Sequence, residues 1–152
     1  MMKCAVDLHV HSCLSPCADD DMTPCNIAGM AYVKHLDCIA LTDHNAAENL
    51  PAAALAAREM GVCLLPGIEV TSSEEVHILC YFPAVDPAVD FGRMIYDHLP
   101  PLPNNKRIFG NQMILGPEDE AQGELSKLLI QATDLSIVEI ERRCTEAGGI
   151  CV

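Results

Sequence analysis

Residues 7–12 read Asp7-Leu8-His9-Val10-His11-Ser12, and residues 41–45 read Leu41-Thr42-Asp43-His44-Asn45. Each set closes a short apolar run, Cys4 to His9 in the first case and Cys38 to Thr42 in the second. A buried strand that delivers polar side chains at its C-terminal end has this pattern, and parallel α/β proteins build their sites at such ends. Side chains alternate along a strand, so His9 and His11 face one side with Cα atoms roughly 6 to 7 Å apart, close enough to converge on one cation. Either set alone is as well read as ordinary polar strand-end residues; the recurrence favours a shared site.

Outward from these runs, Ser12 to Asp21 is polar and reads as a loop. Thr23 reads as an N-cap, with Pro24 opening a helix that runs to about Lys34 or His35. Glu48 to Met60, rich in Ala, forms a second helix closed by Gly61. Val62 to Leu65 is a third strand and Val76 to Phe82 a fourth apolar run, followed by helical spacing from Pro87 to His98. Pro100 to Asn105 breaks the pattern. Gln112 to Leu115, with turn residues Gly116 to Glu120 after it, reads as a strand entering a hairpin, and residues 99–134 as a whole read as an irregular insertion. Order returns with the capping-box spacing Ser136-Ile137-Val138-Glu139, with Ile137, Ile140, Cys144 and Ala147 on one helical face and Gly148-Gly149 as its stop. Ile150-Cys151-Val152 opens a further strand. Alternating strands and helices with right-handed crossovers predict an α/β fold with a parallel sheet or barrel. The unfinished last strand predicts that the barrel is partial and that residues 1–152 are the N-terminal part of a single domain.

With 152 residues, half of them apolar, the chain can bury one core but not two. Aromatic residues are scarce and Trp is absent, so Ala, Val, Ile, Leu, Met and Cys must fill that core, as in helix-covered parallel sheets. The opening residues do not resemble a signal peptide, and nine cysteines without small-scaffold spacing read as reduced thiols in the cytoplasm. No segment approaches the length of a membrane span. A net charge of −13 repels polyanions, so long nucleic acid is not an expected partner. A small phosphorylated molecule can still bind where cations concentrate positive charge.

Two more strand-associated groups join the histidines. Glu69, in Gly67-Ile68-Glu69-Val70, places a carboxylate among apolar residues directly after the third strand, where coordination would offset the cost of an unpaired charge. Its two oxygens could bridge two ions, whereas Glu74 and Glu75 read as solvated. His77 opens the fourth apolar run; His35 and His98 lack this context and read as surface or packing residues. Asp43 is open between a turn or cap residue, a support for a neighbouring ligand and the candidate catalytic carboxylate. In the loop, one of Asp19, Asp20 and Asp21 could reach back to a cation. Cys13, Cys17 and Cys25 lack paired C-x-x-C spacing and read as ordinary thiols. There is no phosphate-binding glycine loop, nucleotide fingerprint or G-x-S-x-G elbow.

As a set, Asp7-x-His9-x-His11-Ser12, Thr42-Asp43-His44-Asn45, Gly67-Ile68-Glu69 and His77 resemble the PHP (polymerase and histidinol phosphatase) superfamily, and most of all its small stand-alone bacterial phosphoesterases. The resemblance implies a distorted seven-stranded β/α barrel of parallel strands holding up to three zinc, manganese or iron ions. It implies that His9 and His11 hold the first ion, that Glu69 bridges the first and second, and that His77 binds the second. His44 with a loop carboxylate would bind the third. Aligning Met22-Thr23-Pro24 with the family's helix start favours Asp19 for that carboxylate, then Asp20. The family's later ligands, a histidine after a strand like Gly149 to Val152 and a final Asp-x-His, have no counterpart, which would leave each ion one ligand short.

The implied activity is that of a metal-dependent phosphoesterase hydrolysing a small phosphorylated substrate through a metal-bound hydroxide, because coordination lowers the pKa of water from 15.7 toward about 7. Two alternatives stand beside it: a non-catalytic metal-binding or regulatory remnant, and a polymerase-type exonuclease module, the latter at odds with the acidity and size. Lys106 and Arg107 read either as phosphate contacts or as plain surface charge.

Overall fold

The computed structural model describes residues 3–152. In chain order its elements are β1 (Val6–Val10), α1 (Pro24–Val33), β2 (Cys38–Leu41), α2 (Leu50–Met60), β3 (Cys63–Thr71), β4 (His77–Tyr81), α3 (Val85–Asp97), α4 (Lys106–Phe109), β5 (Met113–Leu115), β6 (Ala121–Glu124), α5 (Ile137–Glu146) and β7 (Ile150–Cys151). The helices start and stop where local chemistry dictates. Thr23 Oγ1 accepts from the Asn26 amide at the start of α1, Gly61 closes α2 at φ 72°, and Ser136 and Glu139 form the reciprocal capping box of α5.

Five strands form one sheet in the order β1-β2-β3-β4-β7, and β5 pairs with β6 in a separate hairpin. The expectation of parallel strands holds for β1, β2 and β3 and fails at β4, which is antiparallel to β3; β7 is in turn antiparallel to β4. The reason is the short link over residues 72–76, closed by Ser72 and Val76: a parallel return needs a crossover of about a dozen residues. The third strand also runs on to Thr71 instead of ending at Leu65, which places Glu69 inside it.

The sheet, expected to be part of a barrel, is open: β1 and β7 are its two edges. The sheet is nevertheless strongly curled. Tyr81 Oη on β4 donates to the Leu8 carbonyl on β1 at 2.7 Å, although three inter-strand spacings on a flat sheet come to about 14 Å, more than a tyrosine side chain spans.

Alternation then sorts the side chains. Ile39, Leu41, Ile68, Val70, Ile78 and Cys80 face a core covered by α1, α2, α3 and α5. Residues of opposite parity, among them Glu69 and His77, face the concave side. Gly67 lies on that side because a Cβ there would stand 2.8 Å from Thr42 Cγ2 and 3.1 Å from Tyr81 Cδ1. The segment expected as an irregular insertion is anchored by three fully buried carboxamides. Asn45 donates to the carbonyls of Leu129 and Gln131, Asn49 donates to that of Met113, and Gln112 donates to those of Leu125 and Lys127. Among the described residues no helix is long and apolar enough to cross a membrane.

Candidate metal-ligand site

Beyond the end of β2, residues 43–45 continue the ladder with β3: the Glu69 amide donates to the Asp43 carbonyl and the Asn45 amide to the Glu69 carbonyl. His44 and Glu69 therefore lie side by side as an isolated parallel bridge. His9 and His11 arrive from the end of β1. His77 arrives for a reason the chain pattern did not contain: β4 runs backwards, so its first residue, paired with Thr71, lies at the same end of the sheet as the last residues of β1 to β3.

The carboxylate of Glu69 stands at the centre of this group. Its Oε2 is 3.3 Å from His9 Nε2, 3.2 Å from His11 Nε2 and 3.3 Å from His44 Nδ1, and its Oε1 is 3.0 Å from His77 Nδ1. His9 and His77 are half-exposed and form the mouth, while His11 and His44 are drawn inward. Burial alone would push the Glu69 carboxyl up, but the surrounding imidazoles of His11, His44 and His9 outweigh it whenever they present a proton to it, and hold it at about 2. Burial pushes His44 down to about 4, against the pull of Glu69 and with the repulsion of the neighbouring imidazoles, so His44 is neutral at pH 7.

Behind the ring, Asp43 is turned into the protein and 2% exposed. Its Oδ1 accepts from the Ser12 amide (2.7 Å) and the Ser15 hydroxyl (2.6 Å), and its Oδ2 accepts from the Ser12 hydroxyl (2.7 Å). Burial raises its carboxyl above the ordinary range, opposed by the bonds from Ser15 and Ser12. Of the alternatives open for Asp43, support of a neighbouring ligand is the one its contacts fit. A hydroxyl has one proton, and Ser15 gives its own to Asp43. The Ser15 oxygen therefore receives the His11 Nδ1–H (3.1 Å) and the His44 amide (3.0 Å). This network fixes the proton of His11 on Nδ1 and turns its Nε2 lone pair into the ring.

That lone pair faces His9 Nε2 at 3.0 Å and the Glu69 carboxylate, while His44 Nδ1 is buried without a hydrogen-bond partner. Lone pairs that converge in this way repel unless a proton or a cation lies among them, and an orphaned buried nitrogen is costly. Imidazole and carboxylate donors suit zinc, manganese or iron, so the residues present fit a divalent cation. His9, His11 and Glu69 offer one set of ligand atoms within 4.8 Å of one another, and His44, Glu69 and His77 offer a second.

The loop contributes differently from expectation. Asp19, Asp20 and Asp21 are exposed, and none joins a ligand set with the imidazoles among the described residues; Asp20 instead accepts from Asn111. The loop residue that does approach is Cys17, grouped with His11 and His44. Reading the cysteines only for C-x-x-C pairs missed it, and the available signal was its place six residues after His11 in a short, turn-rich loop. Ser15 was missed as well; its signal was a second serine three residues after Ser12. Lys106 is engaged by Glu124 at 2.5 Å. His98 bonds Asp134, as a surface residue would.

A curled, mixed α/β sheet with imidazoles and a carboxylate gathered at one end of its strands defines the class. The profile of the PHP domain family matches residues 7–135, and the chain belongs to that family. It is 33% identical over 76 residues to a 5'-3' exoribonuclease of Haemophilus influenzae, which covers 48% of this chain and 27% of that protein. It is 37% identical over 86 residues to a 3',5'-nucleoside bisphosphate phosphatase of Chromobacterium violaceum, covering 55% and 28%. A solved structure from Bifidobacterium adolescentis, described as a proposed metal-dependent phosphoesterase, superposes with a TM-score of 0.63 at 21% identity, covering 97% of this chain and 65% of that one. The chain thus spans less than a third of the curated relatives' length.

Proposed function

We propose that the chain carries most of the site of a metal-dependent phosphoesterase acting on a small phosphorylated molecule, and that residues 1–152 are the N-terminal part of a single PHP domain. His9, His11 and Glu69 would hold one divalent ion, and Glu69 and His77 a second. His44 would hold a third, with Cys17 in the place expected for Asp19. Such ions, when bound, acidify water and polarise phosphoryl oxygens. The chain's own part is to hold the donors in place. Asp43, through Ser15, keeps the His11 proton on Nδ1 so that Nε2 stays free to ligate.

The observation that carries this reading is the placement of one nearly buried carboxylate against four imidazole nitrogens, with His44 Nδ1 left without a hydrogen-bond partner. The names of the relatives support phosphate-ester chemistry. The net charge of −13 supports a small substrate over a long polymer, because only the neighbourhood of bound cations would attract phosphate. The nine free cysteines support a reducing, cytoplasmic setting.

The test is to load the protein with Mn2+ or Zn2+, measure bound metal, and follow phosphate release from a panel of nucleotides, nucleoside bisphosphates and sugar phosphates, for wild type and Glu69→Gln. Turnover and the metal held at the histidine ring are both expected to be lost in Glu69→Gln. Metal retention without turnover in wild type would favour the non-catalytic reading, and a protein that retains no metal would remove both.

A further inference from the structure

On the helix-covered side of the sheet, away from the histidine ring, three cysteines converge. Cys80 lies on β4 with the parity of Ile78, opposite to that of His77, and so packs into the core. Its direct cross-strand partner is Cys151 on β7. Leu79 and Val152 exchange both backbone hydrogen bonds, at 3.0 and 2.8 Å. Cys80 and Cys151 are therefore the non-hydrogen-bonded pair next to them, the ladder position where Cα atoms approach to about 4.5 Å and side chains lie closest.

Cys144 enters from α5. A Cβ at Gly149, in the turn between α5 and β7, would lie 2.7 Å from Cys144 Sγ and 2.7 Å from Phe82 Cε1; the missing side chain is what lets the Cys144 sulfur reach the strands. The three sulfurs lie within 4.8 Å of one another, with Cys80 and Cys151 at 3.5 Å. Cys80 and Cys144 are fully buried, and Cys151 is partly exposed on the edge strand.

We propose that Cys80, Cys144 and Cys151 form a second cation site, a three-thiolate seat for a thiophilic divalent ion such as Zn2+. A buried cysteine acting only as a small apolar residue has no need of another sulfur, yet three separate elements aim theirs at one point. Sulfurs around a single zinc at about 2.3 Å stand about 3.8 Å apart, close to the observed spacing. A disulfide needs about 2.05 Å and would leave the third thiol idle. Binding converts three thiols and one divalent ion into a tris-thiolate complex of net charge −1 and releases three protons, so no oxidant is involved. The ion offsets the charge of the buried sulfurs, and partly exposed Cys151 provides its entry. Because the ligands come from β4, α5 and β7, occupancy would pin the two-residue edge strand to the sheet. The inference does not depend on the histidine ring.

The test is titration of reduced protein with Co2+, read by thiolate-to-cobalt charge-transfer absorption in the near ultraviolet. Imidazole and carboxylate ligands do not produce this band. It is expected in Cys17→Ala, which removes the thiol placed at the histidine ring, and in Cys17→Ala combined with Glu69→Gln, to be displaced by Zn2+, and in that Cys17→Ala background to vanish in Cys144→Ala and Cys80→Ser. Should the buried variants fail to fold, Cys151→Ser at the exposed edge gives the same reading. A wild-type protein without the band, a band that survives Cys151→Ser but not Cys17→Ala, or a Cys80–Cys151 disulfide in protein isolated under non-reducing conditions would overturn the proposal. Loss of metal from the histidine ring alone, with the band intact, would sink the phosphoesterase reading and leave this one standing.

Discussion

Replacing Asp43 with asparagine exchanges one carboxylate oxygen for an NH2 group and tests the hydrogen-bond logic behind the ring. Oδ1 of Asp43 accepts from two donors, so the asparagine oxygen must take that position and its NH2 group falls opposite the Ser12 hydroxyl. The Ser12 oxygen already accepts from the Leu14 amide at 3.2 Å and from Asn49 Nδ2 at 2.9 Å, so a third donor crowds it and its own proton loses its acceptor. One hydrogen bond to a charged acceptor is worth about 1.5–3 kcal/mol, and a buried group left without a partner costs about 1–3 kcal/mol. Regain of the carboxylate's desolvation cost offsets part of this loss, which leaves Asp43→Asn about 2–3 kcal/mol less stable. For a chain of 152 residues that is a fall in Tm of about 5–10 °C, measurable by calorimetry, with a matching fall in urea midpoint at unchanged m. Asp43→Ala, which strands all three donors, should fall further. An Asp43→Asn protein that melts within about 1 °C of wild type would refute the assignment of these donors, and with it the argument that fixes the His11 proton.

Ser15→Ala removes the acceptor for His11 Nδ1 and the His44 amide, and metal affinity in a calorimetric Mn2+ or Zn2+ titration should drop about 10- to 100-fold; an unchanged affinity contradicts the tautomer argument. Acid should destabilise the metal-free protein through His44. Its pKa falls from 6.5 to about 4 on folding, so the unfolded chain takes up the proton first, and stability is full above pH 6.5 and declines as pH falls toward 4. At about 1.4 kcal/mol per pH unit the loss is at most about 3 kcal/mol and is reduced by solvent screening; chemical denaturation in chelator should show this slope flattened in His44→Gln, and equal slopes would refute it. Gly67→Ala forces a methyl against Thr42 and Tyr81 and should cost about 1–3 kcal/mol in thermal unfolding, whereas an unchanged melt would mean that the concave face is looser than described.

The sequence by itself determined what depends on near neighbours along the chain. Alternation put His9 and His11 on one side of β1, the Thr23, Gly61 and Ser136 caps bounded their helices, and the apolar runs marked where each strand would bring its polar residue. Burial of a lone carboxylate among apolar residues was enough to single out Glu69. Only the tertiary structure decided the direction of β4, which sets His77 beside Glu69 from the opposite end of its strand. It also decided the inward turn of Asp43, the approach of Cys17 to His11 and His44, and the meeting of Cys80, Cys144 and Cys151. Those outcomes rest on hydrogen bonds and packing between residues far apart in the chain, such as Ser15 with Asp43 and Cys80 with Cys151. Local propensity carries no information about such pairs, because each side chain's partner is chosen by the curl of the sheet and the competition for buried donors and acceptors once the chain has closed on itself.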